Sequence, residues 1–209
     1  MHKDITGIIL SGGRSSRMGV NKSLLKIRDK TVIEHVVKLM RSLFEKVLIV
    51  TNDPGEYSFL NVPLFEDIYT RMGPLAGIHS GLVNSDTRKN FILSCDLPLI
   101  TSEMIEYLIT YETDKAITVA KAEGFVQQLC GLYDKSCIDK AEEILKAELN
   151  TETRNDDQKK RGCRVLSLLH ECGAEILDAE ILPFYSPDFY FNMNKREDYE
   201  LALKKLADA

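Results

Sequence analysis

The chain of 209 residues is predicted to fold as an α/β protein: a Rossmann-like, doubly wound, mostly parallel sheet with helices on both faces, in a single domain. Three observations predict this. Apolar runs of strand length alternate with segments of helical period through the first half, as parallel strands joined by right-handed helical crossovers require. The first of those runs is short and rich in Ile, as expected of a strand buried on both faces. The conspicuous polar residues fall just after the runs, where an open parallel sheet holds its ligands.

Taken in order, Ile5 to Leu10 reads as the first strand. A helix follows over Thr31 to Leu43, with Val32, Ile33, Val36, Val37 and Met40 on one face and Thr31 with Glu34 as its capping box. Val47 to Thr51 and Val62 to Phe65 are the second and third strands. Gly77 to Asn84 reads as a helix that Gly81 weakens. Phe91 to Ser94 is the fourth strand, and Thr101 or Ser102 caps the helix carrying Met104, Ile105, Leu108 and Ile109. Ala116 to Ala120 and Gln127 to Tyr133 are strands with a turn at Glu123-Gly124. Ser136 to Leu149 is amphipathic, Glu175 to Leu177 is strand-like, and the last helix begins near Asn194 and reaches about Leu206. The segment 150–162 has no apolar residue and reads as a mobile polar loop.

Apolar residues make up 44% and charged residues 28%, ordinary for a globular chain. No apolar stretch approaches bilayer length, and the N-terminus carries no signal-peptide pattern, so no membrane partner is expected. Five cysteines without a Cys-x-x-Cys pair fit reduced thiols in a cytoplasmic protein. The net charge of -5 argues against a nucleic-acid surface. It is unevenly spread. Residues 1–30 hold seven Lys or Arg against two acids, a balance of +5, and the remainder of the chain carries -10. A cationic opening in an acidic chain suits a small polyphosphate ligand.

The first strand is followed by Ser11-Gly12-Gly13-Arg14-Ser15-Ser16-Arg17-Met18-Gly19, with Lys22 beyond. Small residues let backbone N–H groups approach an anion, and Arg14, Arg17 and Lys22 add neutralising charge. Neither the Walker A spacing nor Gly-x-Gly-x-x-Gly is present. Asn52 follows the second strand, Asp67 the third and Asp96 the fourth. A carboxylate beside phosphates is a usual Mg²⁺ holder, although the spacing of Asp96 also fits a turn aspartate ahead of Pro98, and Asp67 is equally ambiguous. No nucleophilic triad is visible, and His35 and His79 read as packing or surface residues.

Leu10-Ser-Gly-Gly-Arg-Ser-Ser-Arg-Met-Gly-Val-Asn-Lys-Ser-Leu-Leu25 resembles the Leu-Ala-Gly-Gly…Arg-Met-Gly…Asp-Lys…Leu-Leu signature of the MobA-like nucleotidyltransferases. Gly73-Pro-Leu-Ala-Gly-Ile78, Ser94-Cys-Asp-Leu-Pro98 and Asn192-Met-Asn194 are similar to that family's other three motifs, in the same order. Gly73-Pro-Leu-Ala-Gly-Ile78, beside the first motif, points to its molybdenum cofactor guanylyltransferases. The resemblance implies transfer of GMP from GTP to molybdopterin, with Mg²⁺, forming the guanine dinucleotide cofactor and releasing pyrophosphate. It implies that Leu10, Ser11, Gly12, Gly13, Lys22, Asn52, Asp67 and Asp96 bind GTP, that Asp96 holds the metal, and that Asn192 and Asn194 lie on the molybdopterin side. Val50 competes with Asn52 for the base-contacting position. Arg17, Lys22 and Asp96 would be the catalytic residues, neutralising charge during in-line attack by the pterin's terminal phosphate. A cytidylyltransferase on the same pterin and a non-catalytic GTP-binding regulatory module are the alternatives, and transient contacts with other cofactor-assembly proteins are left open. The chain departs from the pattern in four places. Ser11 stands for alanine, Asn21 stands for aspartate, the loop 68–72 lacks a proline and a glycine, and segment 150–162 is longer.

Overall fold

Ile5, Ile8, Ile9 and Leu10 leave the first strand no face to offer to water, and the computed structural model accordingly places it inside the sheet. The structure describes residues 1–12, 21–151, 163–193 and 196–207. The strands are β1 (His2–Leu10), β2 (Lys26–Ile27), β3 (Lys30–Thr31), β4 (Phe44–Val50), β5 (Leu64–Phe65), β6 (Lys89–Ser94), β7 (Ile117–Ala122), β8 (Phe125–Asp134) and β9 (Ala174–Asp178). β2 and β3 form a small antiparallel hairpin, and the other seven make one sheet in the order β5-β4-β1-β6-β8-β7-β9. All its neighbours pair in parallel except β8, which runs against both β6 and β7.

The chain moves outward from β1 to β4 and β5 on one side, then returns across to β6 on the other. The direction of winding therefore reverses between β1 and β6, which opens a crevice at their carboxyl ends.

Helices cover both faces. They are α1 (Val32–Leu43), α2 (Pro74–Asn84), α3 (Ser102–Thr110), α4 (Ile138–Thr151), α5 (Cys163–Cys172) and α6 (Arg196–Ala207). Because side chains alternate along a strand, Ile5 and Ile9 face a core shared with α1 and α3, and Ile8 and Leu10 face one shared with α2, α4 and α5. A third, small cluster joins Ile27 and Val32 to Met193 and Ala202, seating α6 against the β2–β3 hairpin.

Local chemistry explains the element ends. Thr31 and Glu34 close the expected capping box, and the bonds from Thr31 hold the Glu34 carboxyl below its ordinary value. α3 takes Thr31's counterpart Thr101, not Ser102, as its cap, through the Met104 amide. α2 begins at Pro74, three residues before the sequence expectation. Gly73 holds a φ of +76°, which favours glycine, and Pro74 fits the first helical turn. α5 has no counterpart in the sequence reading. Of the expected polar loop 150–162, Asn150 and Thr151 are instead the last residues of α4, because a helix already nucleated propagates a further turn without apolar support. Residues 152–162 lie outside the described residues. Among those described, no helix is long and apolar enough to cross a membrane.

Gly81 weakens α2 intrinsically but lets it lie directly on β1: a Cβ there would stand 2.6 Å from Ile8 Cγ2. Ile8 is fully buried and β-branched, so it cannot swing aside. Gly81→Ala gains about 1 kcal/mol of helix propensity and incurs about 1–3 kcal/mol of overpacking. A net loss of stability is expected, and a denaturant titration showing the variant more stable than wild type would contradict this packing.

Candidate functional site

The ladders of β1 end level with their neighbours. Leu10 is opposite Val50 on one side and Ser94 on the other. The pairing then runs one residue past the strands: the Ser11 amide donates to the Val50 carbonyl at 2.9 Å, and the Cys95 amide to the Leu10 carbonyl at 3.0 Å. The glycine-rich loop and the Cys-Asp-Leu-Pro motif therefore start side by side in the crevice.

Ser11, Lys22, Cys95 and Asp96 form one group there. Burial pushes the Cys95 thiol up to about 12, the Asp96 carboxylate adds to the rise, and the Ser11 hydroxyl and Lys22 ammonium oppose it. Two consequences follow. Cys95 stays protonated at neutral pH and is no nucleophile, and the cation and the carboxylate expected at the site both act on the same sulfur. Leu97 and Ile100, just beyond, are buried and anchor the turn. The Met193 amide donates to the Asp96 carbonyl at 3.0 Å, which brings the Asn192-Met193 segment to the same edge. The Asn192 amide caps the Tyr190 carbonyl at 3.2 Å.

A second group lies at the ends of β4 and β5. Asn52 Nδ2 donates to Asp67 Oδ2 at 2.8 Å, and the Asp67 amide donates back to Asn52 Oδ1 at 3.2 Å. Asp67 rests over α2, where a Cβ at Gly77 would be 3.3 Å from Leu10 and 3.6 Å from Asp67 Oδ1. Burial pushes the Asp67 carboxyl above its ordinary 3.8, and the Asn52 bond only partly offsets it. Val50 is buried in the core beside α2, whereas Asn52 stands exposed beyond the strand end.

Of the residues singled out in the sequence, Leu10, Ser11, Gly12, Lys22, Asn52, Asp67, Asp96 and Asn192 all lie at or just beyond the carboxyl edge. Gly13, Arg14, Arg17 and Asn194 lie outside the described residues. His35 contacts the Ile27 carbonyl, and His79 is buried with its ring edge-on to Tyr69. Among the described residues no cluster of three metal-ligating side chains exists.

Tyr57 was not legible beforehand. Its hydroxyl takes a bond from Ser11 Oγ at 2.9 Å and from Asn21 Nδ2 at 2.8 Å, and lies 2.8 Å from Ser23 Oγ. It sits in a 3-10 segment, Pro54–Leu60, with no hydrophobic period of its own to advertise it. Its partners lie more than thirty residues away, so no local pattern could have found it.

The sequence model of the MobA-like NTP transferase domain matches residues 7–159. A Carboxydothermus hydrogenoformans protein named "Probable molybdenum cofactor guanylyltransferase" is 34% identical over 204 residues, covering 97% of this chain and 96% of its own length. A crystal structure from Aquifex aeolicus VF5 is 30% identical with a TM-score of 0.70, covering 91% of this chain and 94% of that one. The molybdopterin-guanine dinucleotide biosynthesis protein A of Archaeoglobus fulgidus has the same fold, with a TM-score of 0.78 at 19% identity over 98% of this chain and all of that one. By its motifs, its sheet order and these likenesses, the chain belongs to the MobA-like NTP transferase family.

Proposed function

We propose that the chain transfers GMP from GTP to molybdopterin, forming the guanine dinucleotide cofactor and releasing pyrophosphate. The observation that carries this reading is the convergence of the Ser11-Gly12 backbone, Lys22 and Asp96 at the point where the winding of the sheet reverses. A polyphosphate laid across that edge meets the backbone at Gly12, an ammonium and a carboxylate suited to a divalent cation. The names of the relatives supply the guanine and the pterin.

The chemistry needs little from the protein beyond placement. An oxygen of the pterin's terminal phosphate attacks the α-phosphorus of GTP, a new P–O–P link forms, and the bond to the β-phosphate breaks with pyrophosphate carrying the charge away. The attacking oxygen is already anionic, so no general base is required, in keeping with a protonated Cys95 and the absence of a nucleophile–base pair among the residues named. Lys22 holds the phosphates and neutralises charge that grows in the transition state, a role we extend to Arg17. Leu10, Ser11, Gly12 and Gly13 line the nucleotide with backbone groups. Asn52 and Asp67 hold its nucleoside end, with Asn52 preferred to the buried Val50. Asn192 and Asn194 face the acceptor.

Asp96 would hold Mg²⁺ through its one carboxylate, since this ion is usually bound by one or two carboxylates without a dedicated protein cage. When bound it neutralises charge on the triphosphate and on the departing pyrophosphate. Free thiols at Cys95, Cys130, Cys137 and Cys172 suit a cytoplasmic setting.

Asp96→Asn and Lys22→Ala are each expected to fold normally and to lose about 10²–10³ in turnover, the usual effect of removing one charge-stabilising contact. The assay measures pyrophosphate and dinucleotide from Mo-molybdopterin with GTP, CTP or ATP. Turnover at wild-type level in either variant, or product with CTP alone, would overturn the assignment.

Asp67 makes a separate, pH-dependent prediction. Its folded pKa lies above 3.8, so below 3.8 both states are protonated and burial costs nothing. As pH rises the unfolded chain ionises first, and stability falls until the folded carboxyl ionises too. Asp67→Asn should therefore raise Tm at pH 7, with the gain fading toward pH 3, while GTP binding weakens. A gain in Tm that is independent of pH would refute this origin.

A further inference from the structure

The hydroxyl of Tyr57 is the only junction, among the described residues, that joins Ser11 at the exit from β1 to Asn21 and Ser23 on either side of Lys22. Tyr57, Ser11 and Ser23 are 2%, 1% and 3% exposed, so water does not compete for these bonds. A phenol oxygen has one proton and two lone pairs. Ser11 Oγ and Asn21 Nδ2 fill the lone pairs, which sends the phenol proton to Ser23 Oγ. The Ser23 proton then goes to Asn21 Oδ1 at 2.7 Å, and the Ser23 amide donates to the same oxygen at 3.2 Å. The other proton of the Asn21 amide goes to Glu56 Oε2 at 2.6 Å. Each donor in this arrangement thus has an acceptor.

Lys22 stands between the two residues so held and opens the 3-10 turn Lys22–Leu24 that Asn21 caps. The network also meets both of the first motif's departures from the pattern it resembles, Ser11 for alanine and Asn21 for aspartate. Glu56 explains the second: an aspartate at 21 would set a carboxylate against that of Glu56 and would lose the amide donor to Tyr57.

We propose that Tyr57 is a positioning residue for nucleotide binding: its hydroxyl fixes the Lys22 ammonium relative to the Ser11-Gly12 backbone, so that both meet the same triphosphate. The inference rests on the nucleotidyl-transfer reading but not on the identity of the base. It also accounts for the neutral Asn21, which ties the loop to Glu56 without an acid pair.

The test is a double-mutant cycle on the full chain, reading Kd by calorimetry with Mg²⁺ and whichever of GTP, CTP and ATP the wild type binds most tightly. Tyr57→Phe keeps the buried ring and removes only the hydroxyl. It is expected to weaken binding about tenfold in the wild-type background, and by less than about twofold in the Lys22→Ala background, where there is no ammonium left to place. A purely structural role would lower Tm and weaken both backgrounds equally. Asn21→Asp is expected to weaken binding similarly, and Glu56→Gln in the same chain to restore the part of the loss that comes from the acid pair, by supplying a donor to the new carboxylate. This second pair decides the matter if Tyr57→Phe fails to fold. Tyr57→Phe binding as wild type, equal losses in both backgrounds, or no rescue by Glu56→Gln would overturn the proposal. CTP or ATP binding tightest, with the coupling intact, would overturn the guanine assignment and leave the role of Tyr57 standing.

Discussion

Leu10 is paired on both sides at once, opposite Val50 and opposite Ser94. That double register constrains the rest of the structure. It makes three parallel strands stop at one level, so that the loops after them leave from a common edge. It also places successive residues of β1 in different cores, Ile9 with α1 and α3, and Ile8 and Leu10 with α2. A slip of one residue would exchange those faces entirely, and the same slip would carry Ser11 and Cys95 away from each other. The packing that fixes the register and the geometry of the candidate site are one and the same requirement.

Within that frame the two halves of the site are built differently. Around Ser11 and Ser23 the buried hydroxyls are paired with the Tyr57 hydroxyl and the Asn21 amide, all neutral groups, so placement there costs little in charge burial. Around Asp67 the protein keeps a carboxylate partly desolvated with one amide to support it. Such a residue weakens the fold, and perturbed carboxyls of this kind concentrate at functional sites, in keeping with the role proposed for Asp67. The cationic opening of the chain contributes Lys22 to the first of these halves, while Asp67 belongs to the acidic remainder.

Much of this was legible in the sequence because it is written locally. The run Ile5 to Leu10, the Thr31–Glu34 box and the turn at Glu123-Gly124 depend on neighbours within a few residues, and each stands where its pattern puts it. The polar residues after each strand could be placed at one edge because parallel strands share a direction. Three things escaped. The position of β8 between β6 and β7 is a matter of long-range pairing, invisible in a hairpin's own pattern. The helix α5 follows a polar stretch that carries no period of its own. Tyr57 acts through partners on another loop, and a tyrosine with such a role looks in sequence like any other core aromatic.

The C-terminal helix closes the account of the site from the other end of the chain. α6 packs through Ala202, together with Met193 just before the helix, on Ile27 and Val32, and the backbone of Met193 is tied to Asp96. Residues made early in synthesis thus wait on residues made late. The strand that organises the sheet is made before α6, yet the hairpin just past Lys22 has its apolar face covered only when α6 emerges. The nascent chain would pair β1 with its neighbours before α6 is available to complete the surroundings of Lys22 and Asp96, so those surroundings would be the last part of the described fold to settle.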